Sequence, residues 1–386
     1  MEIPFNQPQI VGAEHAYIDE ALASGKLSGN GKFARRCGEW LEDRLGAHRA
    51  LITPSCTAAL EMTGVLAELR PGDEVIVPDF AFVSTANAFA LLGATPVFVD
   101  IDPDTLNITP EAIEQAITER TRVVVVIHYG GIACDMERIQ QICARHRLLL
   151  VEDAAHSIEA TYRGRPLGSI GDLATFSFHE TKNVQCGEGG ALIVNNQKLV
   201  ARAEIIQEKG TDRGRFFRGE IDKYTWQDVG SSYLLSEVAA AFLWAQFEHA
   251  PKITDERHAI WNRYYDAFAS LEADGLIRRP RVPPDCAHSG HLFYMLLPTA
   301  ERRDLALHEF VKRGVHAVFH YLPLHASPAG KRLGALPHPV PVTDDISKRL
   351  LRLPLWVGMT DEQVDFVIDS VNQVVGARYA MNLDGS

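Results

Sequence analysis

Short apolar runs alternate with stretches of helical periodicity along the first half of the chain. The runs are nearly free of polar residues, which is typical of parallel strands buried on both faces of a sheet. They are Glu74–Pro78, Thr95–Asp100, Arg122–Ile127, Leu148–Glu152, Ala174–Phe178 and Gly190–Val194. Between Asp135 and His146 the apolar residues recur at helical spacing. This strand–helix–strand alternation predicts an α/β sheet with helices on both faces.

The pattern changes near residue 232, where alanine- and aromatic-rich segments begin. We predict helices, a strand and a further apolar run in this part of the chain. These are helices over Leu234–Phe247, Thr254–Leu271 and Ala300–Arg313, a strand over Leu292–Leu297, and the run Val315–Tyr321. The sequence therefore predicts a large domain over residues 1–249 and a smaller C-terminal α/β domain over residues 250–386.

Composition narrows the class of protein. A chain of 386 residues with 46% hydrophobic and 23% charged residues is expected to fold without disulfide support. The net charge of −12 disfavours general binding of nucleic acid, although a local basic pocket for one anion stays open. Six scattered cysteines without a C-x-x-C pair indicate reduced thiols and no zinc site. With no targeting or membrane-spanning segment in view, we expect a cytoplasmic protein.

The segment Leu51–Leu60 is the first candidate for chemistry. A strand ends there, hydroxylated residues follow, and a helix is expected to begin near Thr57. A helix start offers free N–H groups and a positive dipole end to a phosphate. The alternative is that Ser55 or Thr57 only caps the helix.

Two carboxylates and a histidine follow the next candidate strand, in Glu152-Asp153-Ala-Ala-His156. Ligands meet open α/β sheets at this end of the strands, so a carboxylate there can pair with a protonated heteroaromatic nitrogen. The alternative is a buried acid that caps the next helix. His156 alone fits either catalysis or a structural hydrogen bond.

Lys182 follows a buried strand and precedes the glycine-rich Gly187-Glu-Gly-Gly190. In a partly desolvated cleft the pKa of its amine would fall, which makes it a nucleophile toward carbonyls. A lone lysine is otherwise a solvated surface charge.

Together, Ser177–Asn183, Gly187–Gly190 and Glu152–His156 resemble the DegT/DnrJ/EryC1/StrS family of nucleotide-sugar aminotransferases, over nearly the whole chain. Further stretches are similar to the dTDP-4-amino-4,6-dideoxygalactose transaminases of the enterobacterial common antigen type. These are Lys209–Arg213, Phe216–Gly219, Asp222–Trp226, Gly230–Leu234 and Phe319–His325. The resemblance implies the pyridoxal-phosphate fold type I, aspartate aminotransferase-like, with a large mixed or parallel sheet.

The resemblance also implies the cofactor contacts. Lys182 would bond covalently to pyridoxal 5'-phosphate, Asp153 would pair with its ring nitrogen, and His156 would replace the glutamine that often bonds the ring hydroxyl oxygen. Phe82 would stack on the ring, where the alternative is a core phenylalanine. The phosphate would be held by Cys56, Thr57, Ala58 and Ser177. Ser232 stands where many members place an asparagine from the partner subunit.

The implied reaction moves an amino group from L-glutamate to C4 of a dTDP-4-keto-6-deoxyhexose and gives dTDP-4-amino-4,6-dideoxy-D-galactose for surface-polysaccharide biosynthesis. The resemblance also implies a homodimer, because in the family the loop around residues 209–224 reaches toward the neighbouring subunit's site. The loop around Arg213, Arg218 and Tyr224 mixes cations with aromatic side chains that suit a nucleoside diphosphate. Its interleaved acidic residues fit a solvated loop instead. The other candidates for the sugar site are Lys26, Ser28, His320 and Tyr321.

Several alternatives remain at the level of sequence. One is a related aminotransferase with another sugar position, nucleotide or amine configuration. A dehydratase relative is disfavoured because that branch has histidine in place of the lysine. A non-catalytic nucleotide-sugar binder would need neither Lys182 nor Asp153. The spacing of His316, His320 and His325 suggests a metal, but no carboxylate or thiol cluster accompanies them, so no metal site is predicted.

Overall fold

A seven-stranded mixed sheet forms the centre of the larger part of the molecule in the computed structural model, which describes residues 1–376. Its strand order is β1-β9-β8-β5-β4-β2-β3. The strands are β1 (Arg49–Thr53), β2 (Glu74–Pro78), β3 (Thr95–Val99), β4 (Thr121–Ile127), β5 (Leu149–Asp153), β6 (Thr161–Tyr162), β7 (Arg165–Pro166), β8 (Leu173–Ser177), β9 (Gly190–Val194), β10 (Cys286–Ala287), β11 (Phe293–Leu296), β12 (Val318–Phe319) and β13 (Leu350–Leu353).

Helices connect most of these strands and cover both faces of the sheet. They are α1 (Glu14–Ala23), α2 (Lys32–Leu45), α3 (Cys56–Leu66), α4 (Val83–Ala90), α5 (Pro110–Ala116), α6 (Met136–His146), α7 (Val200–Gln207), α8 (Arg213–Phe217), α9 (Glu237–Glu248), α10 (Ala250–Ala267), α11 (Ala269–Ala273), α12 (Ala300–Lys312), α13 (Pro328–Leu333), α14 (Pro341–Arg349) and α15 (Asp361–Val371). Short 3₁₀ turns span Tyr129–Gly131 and Gln197–Leu199, and a π turn spans Asn372–Gly376.

The predicted α/β class is confirmed, and the reason is visible in β4. Residues Val123 to Val126 are fully buried, and alternate residues face different hydrophobic clusters on the two sides of the sheet. A strand covered on both faces must be apolar at every position, not at every second one. This is why an uninterrupted apolar run predicted the strand.

The sheet is mixed because β9 runs antiparallel to both of its neighbours, β8 and β1. The strands β8, β5, β4, β2 and β3 pair in parallel. Because β9 is antiparallel to both β8 and β1, these two strands run in the same direction. The strand β1 therefore ends at the same edge of the sheet as β5 and β8. The start of β9 reaches this edge too, with Gly190 opposite Ser177 and Thr53.

A smaller sheet of order β11-β13-β12 lies in the C-terminal part of the chain. Its core also includes Ile3, whose backbone bonds to Gly314 and His316. The division at residue 250 stays a prediction, and these contacts attach the first residues of the chain to the C-terminal region.

Two predicted elements are wrong in extent. The helix expected over Thr254–Leu271 begins earlier, at Ala250 with Pro251 in its first turn, and gives way at Phe268 to α11. In the run Val315–Tyr321 only Val318–Phe319 forms a strand. Across residues 1–376 all six cysteines are free, and no helix is long and apolar enough to cross a membrane.

Candidate active site

A cavity of about 440 Å³ opens at the sheet edge where β1, β5 and β8 end. It brings together most of the residues predicted for the cofactor. Those that line it are Cys56, Thr57, Phe82, Asp153, His156, Ser177 and Lys182, together with His320 and Tyr321 from the predicted substrate set. Residues far apart in sequence meet because the carboxyl ends of the strands meet at one edge.

Lys182 lies on the turn after β8, with its backbone N–H bonded to the carbonyl of His179. Burial lowers the pKa of its amine to about 8, and the nearby Cys56 and Asp153 only partly oppose that shift. At pH 7 roughly a tenth of the amine is therefore unprotonated, whereas an exposed lysine with a pKa of about 10.4 is almost entirely protonated. The lowered pKa agrees with the expectation from the sequence, and the role of Lys182 as a nucleophile stays a prediction.

Asp153, the last residue of β5, is buried at the cavity wall. Its carboxylate accepts hydrogen bonds from Thr85 Oγ1 at 2.8 Å and from the N–H of Ala155 at 3.2 Å. Burial raises the pKa of this carboxyl, because these bonds replace only part of its hydration. A buried carboxylate whose described partners are a hydroxyl and an amide is suited to a protonated ring nitrogen.

Glu152, one residue earlier, points away from the cavity and has a different role. Its carboxylate accepts three backbone N–H groups, from Gly168, Ile170 and Gly171, at 2.6 to 2.9 Å. His128 Nε2 lies 2.9 Å from it. Glu152 is thus a buried structural acid, but it stabilises the turn after β7 and does not cap the next helix, as the alternative had it.

The start of α3 forms one end of the cavity, and both alternatives for this segment find support there. Ser55 caps α3 by accepting the N–H of Ala58 at 3.1 Å. Cys56 and Thr57 line the cavity next to that cap, and Thr57 Oγ1 donates to Ser84 Oγ at 2.8 Å. The N–H of Ala58 is thus already engaged, and Ala58 does not line the cavity, because the cap turns that group toward Ser55. Ser55 and Ser84 line the cavity and were not predicted as phosphate contacts.

Gly190 explains one glycine of the motif after Lys182. A Cβ at this position would lie 2.4 Å from the carbonyl carbon of Ser55 and from the N of Cys56. No side chain fits there, because backbone atoms cannot retreat as a flexible side chain can. The glycine allows β9 to pass directly beneath the turn that begins α3.

Phe82 lies at the N-cap of α4 and is 57% exposed while lining the cavity. The core-phenylalanine alternative is therefore wrong. Its ring lies 6.4 Å from that of Tyr321, centroid to centroid. An exposed aromatic ring at the cavity wall can stack on a planar ligand.

His156 is buried, and its Nδ1 accepts the N–H of Gly130 at 3.3 Å. In the neutral ring the proton is then on Nε2. Burial lowers the pKa of His156 well below its usual value, so the neutral form dominates. The ring stacks on His291 at 4.2 Å, and Nδ1 of His291 bonds the side-chain oxygen of Asn183, the neighbour of Lys182.

The side of the cavity that faces the smaller sheet is aromatic. Tyr129 is fully buried, and its hydroxyl lies 3.0 Å from His320 Nδ1. Burial lowers the pKa of His320 and raises that of Tyr321, so both are neutral near pH 7. These two predicted sugar contacts thus provide uncharged hydrogen-bonding groups.

The other predicted substrate residues do not join Lys182 in the same chain. Lys26, Ser28, Arg213 and Arg218 instead line a second cavity of about 850 Å³, and so does Ser232, which was predicted as a cofactor contact. Tyr224 is 47% exposed and lines neither cavity. The resemblance implies that the loop around Arg213, Arg218 and Tyr224 acts at the neighbouring subunit's site, and its position away from the first cavity of the same chain leaves that implication a prediction.

Ion pairs in this loop give partial support to the solvated-loop alternative. Arg218 pairs with Glu220 at 2.6 Å and with Glu204 at 3.1 Å, and Arg215 pairs with Glu220 at 3.1 Å. Arg213 differs, because its buried Nε has no hydrogen-bond partner and its guanidinium stacks on Phe217. Both interpretations of the loop therefore find support in its side chains.

The two remaining histidines of the proposed metal spacing have other partners. His325 Nδ1 lies 2.6 Å from the buried carboxylate of Asp79, and His316 lies 3.0 Å from Glu2. Over residues 1–376 no group of three or more histidine, cysteine or acidic side chains could hold a metal ion.

Sequence reasoning missed two arginines that line the first cavity, Arg257 and Arg352. Arg257 is buried and bonds the carbonyls of Gly290, His291 and Leu355. Burial lowers its pKa to about 9. Arg352 lies on β13 and contacts Phe5. Neither stands in a motif, so only the pairing of distant segments reveals them.

Comparison with known proteins bears on these observations. The model of the DegT/DnrJ/EryC1/StrS aminotransferase family matches residues 8–372. The spore coat polysaccharide biosynthesis protein SpsC of Bacillus subtilis (strain 168) is 35% identical over 382 residues, which cover 97% of each chain. The aminotransferase TlmJ from Streptoalloteichus hindustanus is 30% identical with a TM-score of 0.89, over 98% of this chain and 100% of that chain. The sugar aminotransferase Spr1654 from Streptococcus pneumoniae in its PLP form is 28% identical, with a TM-score of 0.89 over 98% and 99% of the two chains.

Proposed function

We propose, from the premise that this chain belongs to the DegT/DnrJ/EryC1/StrS aminotransferase family, that it aminates C4 of a dTDP-4-keto-6-deoxyhexose. The protein is a sugar aminotransferase and its cofactor is pyridoxal 5'-phosphate. The donor we propose is L-glutamate, and the product dTDP-4-amino-4,6-dideoxy-D-galactose for a surface polysaccharide. The observation that carries the proposal is the convergence of Lys182 and Asp153 on one cavity.

The residues present fit this cofactor. Asp153 offers a buried carboxylate to a cationic ring nitrogen, Phe82 an exposed ring to a planar heterocycle, and the start of α3 its free N–H groups to a phosphate. Lys182 would bond to the aldehyde carbon and His156 would donate its Nε2–H to the ring hydroxyl oxygen. When bound, pyridoxal phosphate supplies an electron sink for the carbanion formed at the amino carbon.

Lys182 is the group that moves the proton in both halves of the reaction. Its pKa of about 8 lets the amine accept a proton from the donor's α-carbon and, in the second half, deliver one to C4 of the sugar. Asp153 keeps the ring nitrogen protonated. Its carboxylate is buried, so the attraction between its negative charge and a neighbouring cation is only weakly screened. His320 and Tyr321 line the cavity and offer neutral hydrogen bonds to the sugar, and the hydroxyl of Tyr129 contacts His320 from behind.

A homodimer is part of the proposal. Arg213, Arg218, Lys26 and Ser28 line a cavity that includes neither Lys182 nor Asp153, and Ser232 lies on its wall. We propose that a second copy brings this cationic and aromatic loop to the cavity around Lys182, where it meets the pyrophosphate and the base. Tyr224 would stack on the thymine.

Spectroscopy and product analysis test the function together. The purified protein with pyridoxal phosphate is expected to be yellow, and L-glutamate alone should convert its absorbance to that of the pyridoxamine form. Adding a dTDP-linked 4-keto-6-deoxyhexose should restore the yellow form and give an aminated product by mass spectrometry, with the galacto configuration by NMR. Turnover with the UDP-linked sugar but not the dTDP-linked one would contradict the nucleotide, and amination at C3 would contradict the position.

A further inference from the structure

A buried hydrogen-bonded pair fastens the loop over residues 320–325, which carries His320 and Tyr321, to the end of a strand of the large sheet. The pair consists of Asp79, which directly follows β2, and His325, which ends the loop. His325 Nδ1 lies 2.6 Å from Asp79 Oδ2, and the backbone N–H of His325 donates to Asp79 Oδ1 at 2.8 Å. Asp79 is fully buried, and its backbone carbonyl accepts the N–H of Leu324 at 3.1 Å. A carboxylate only accepts hydrogen bonds, so the imidazole carries a proton on the Nδ1 that faces it.

The other contacts of this loop also attach it to the large sheet. The side chain of Leu324 is buried in the hydrophobic cluster that residues of β2 and β4 form on one face of that sheet. His325 Nε2 lies 3.8 Å from the carboxylate of Asp344 in α14. The first turn of α14 is held in turn by Asp100, directly after β3, which accepts the N–H of Thr343 at 2.8 Å. The loop therefore leaves the smaller sheet at β12 and is fixed to the ends of β2 and β3.

The segment that holds the far end of the loop also supports its two cavity-lining rings. Phe80 follows Asp79 on the chain and is buried, and its ring lies 5.4 Å from that of Tyr321 and 5.3 Å from that of Tyr129. The hydroxyl of Tyr129 lies 3.0 Å from His320 Nδ1. The end of β2 thus determines the position of His320 and Tyr321, through polar bonds at one end of the loop and through packing at the other.

The middle of the loop has little packing of its own. Leu322 is 68% exposed, and Phe319, just before the loop, is 49% exposed. A loop with few buried contacts depends on the bonds at its ends for a fixed position. Misplacement of a substrate-positioning group by about 1 Å can cost ~100-fold in rate, so these bonds have a direct bearing on catalysis.

Resting on the proposed function, we infer that Asp79 and His325 are positioning residues for the nucleotide sugar. Neither side chain lines the cavity around Lys182, so the pair acts through His320 and Tyr321, which do line it. Lys182 is placed instead by the turn after β8, and its aspartate partner by the end of β5. Release of the loop is therefore expected to slow amination of the sugar and to leave the reaction with the amino donor unchanged.

The two half-reactions of His325 variants, measured separately by rapid mixing, test this inference. In His325→Ala the rate at which the pyridoxamine form reacts with dTDP-4-keto-6-deoxyglucose is expected to fall ~10–100-fold, the scale of a small displacement of a positioning group. The rate at which the pyridoxal-phosphate form reacts with L-glutamate should change by less than ~2-fold. His325→Asn puts an amide N–H where the imidazole Nδ1–H stood, and it should restore the sugar rate to within ~5-fold of wild type.

His316→Ala is the matched control, because His316 is also a histidine of the C-terminal region near a carboxylate, that of Glu2 at the surface. Neither half-reaction should change in this variant. If His325→Ala does not fold because it leaves a buried carboxylate without its partner, Asp79→Asn/His325→Ala removes the charge and the partner together and takes its place. Equal losses in the two half-reactions, or an unchanged sugar rate, overturn the inference.

Dependence on the two loop side chains separates positioning from a merely structural role. In a His320→Gln/Tyr321→Phe background the groups through which the pair acts are absent. Adding His325→Ala to this background should therefore lower the sugar rate by less than ~2-fold further. A further loss of the full size would show that the pair acts by another route, and the inference would be wrong.

Hydrogen exchange of the cofactor-loaded protein, followed by mass spectrometry, reports on the loop without any reaction. The amides of Leu324 and His325 both donate to Asp79. Their exchange is expected to become ~10-fold faster in His325→Ala and to stay at the wild-type rate in His316→Ala. A slower sugar reaction without faster exchange at these amides would mean that the loop is not released, which contradicts the inference.

The choice of sugar separates failure of the inference from failure of the proposed function. Where the wild type aminates a UDP-linked keto sugar instead, or aminates at C3, the proposed function fails, and the comparison of half-reactions with that sugar still decides the inference. Normal amination of the dTDP-linked sugar at equal rates in wild type and His325→Ala leaves the function intact and refutes the inference.

Discussion

The two cavities of this chain differ in how far each is completed by its own residues. The cavity around Lys182 is walled by buried side chains with short hydrogen bonds, such as Thr85 to Asp153. The cavity around Arg218 is lined by parts of α2, β1 and α7 and by the loop around α8, whose charges are partly neutralised by acidic neighbours. The first therefore has the preorganisation that chemistry needs, whereas the second has charge and surface suited to recognition.

The largest effect is expected from removing the amine of the first cavity. Lys182→Ala should reduce turnover by at least ~10⁴-fold, because the same group holds the cofactor and moves the proton. The thermal midpoint should stay close to that of wild type, since the side chain makes no described ion pair. Steady-state assays and a melting curve check both, and a variant with near wild-type turnover would contradict the assignment.

Substitutions of the two adjacent acids at the end of β5 are expected to have different effects, on activity for Asp153 and on stability for Glu152. Asp153→Asn should reduce kcat by ~10²–10³-fold, as expected for loss of one preorganised charge, with little change in unfolding. Glu152→Gln should instead cost ~3 kcal/mol of unfolding free energy, because it breaks a buried pair with His128 and one set of N–H contacts. Urea titration and kcat measured on both variants make the comparison, and equal losses in both quantities would contradict it.

The lowered pKa of Lys182 predicts a pH dependence for cofactor attachment to the cofactor-free protein. Attachment needs the unprotonated amine, so its rate should rise with pH and level off above about 8. With a lysine of ordinary pKa, the rate of attachment would keep rising to about pH 10.4. Absorbance after mixing at constant ionic strength measures the rate, and a profile still rising at pH 10 would show that burial does not shift this group.

Substitutions in the second cavity are expected to have smaller effects, and only on the KM for the nucleotide sugar. Arg218→Ala is expected to raise KM for the nucleotide sugar by ~10-fold, the scale of one lost charge-assisted hydrogen bond. Conversion by L-glutamate alone should be unchanged. Arg215→Ala is the control, because this arginine belongs to the same loop and does not line the cavity. An equal effect in the two variants would indicate a general charge effect.

How much could be read from the sequence also differs between the cavities. The apolar runs predicted strands close to β2, β4 and β9, and the residues at and after the ends of the runs that form β5 and β8 included Asp153 and Lys182. Arg352 gave no such signal, because Leu-Leu-Arg-Leu reads like any strand with one side in water. Its position follows from pairing with Tyr294 on β11 and Val318 on β12, which no local pattern encodes.

The predicted phosphate and substrate residues show the same limit. Ala58 was expected at the phosphate, but the N-cap hydroxyl of Ser55 takes its N–H, a choice that depends on one side-chain rotamer. Lys26 and Arg218 line a cavity away from Lys182 of the same chain, and the resemblance implies that the loop with Arg218 acts at the neighbouring subunit's site. Motif spacing identifies residue types, and it does not say from which copy of the chain they act.

The attachment of the first residues to the smaller sheet has a practical consequence for handling this protein. The backbone of Ile3 is bonded to Gly314 and His316, the carbonyl of Pro4 accepts from Trp356, and Phe5 lies on Arg352. An affinity tag fused directly to Met1 therefore begins close to the cavity around Lys182, which Phe5 and Asn6 line. Placing the tag at the opposite terminus, or cleaving it before kinetic measurements, avoids an effect of the tag on binding at this cavity.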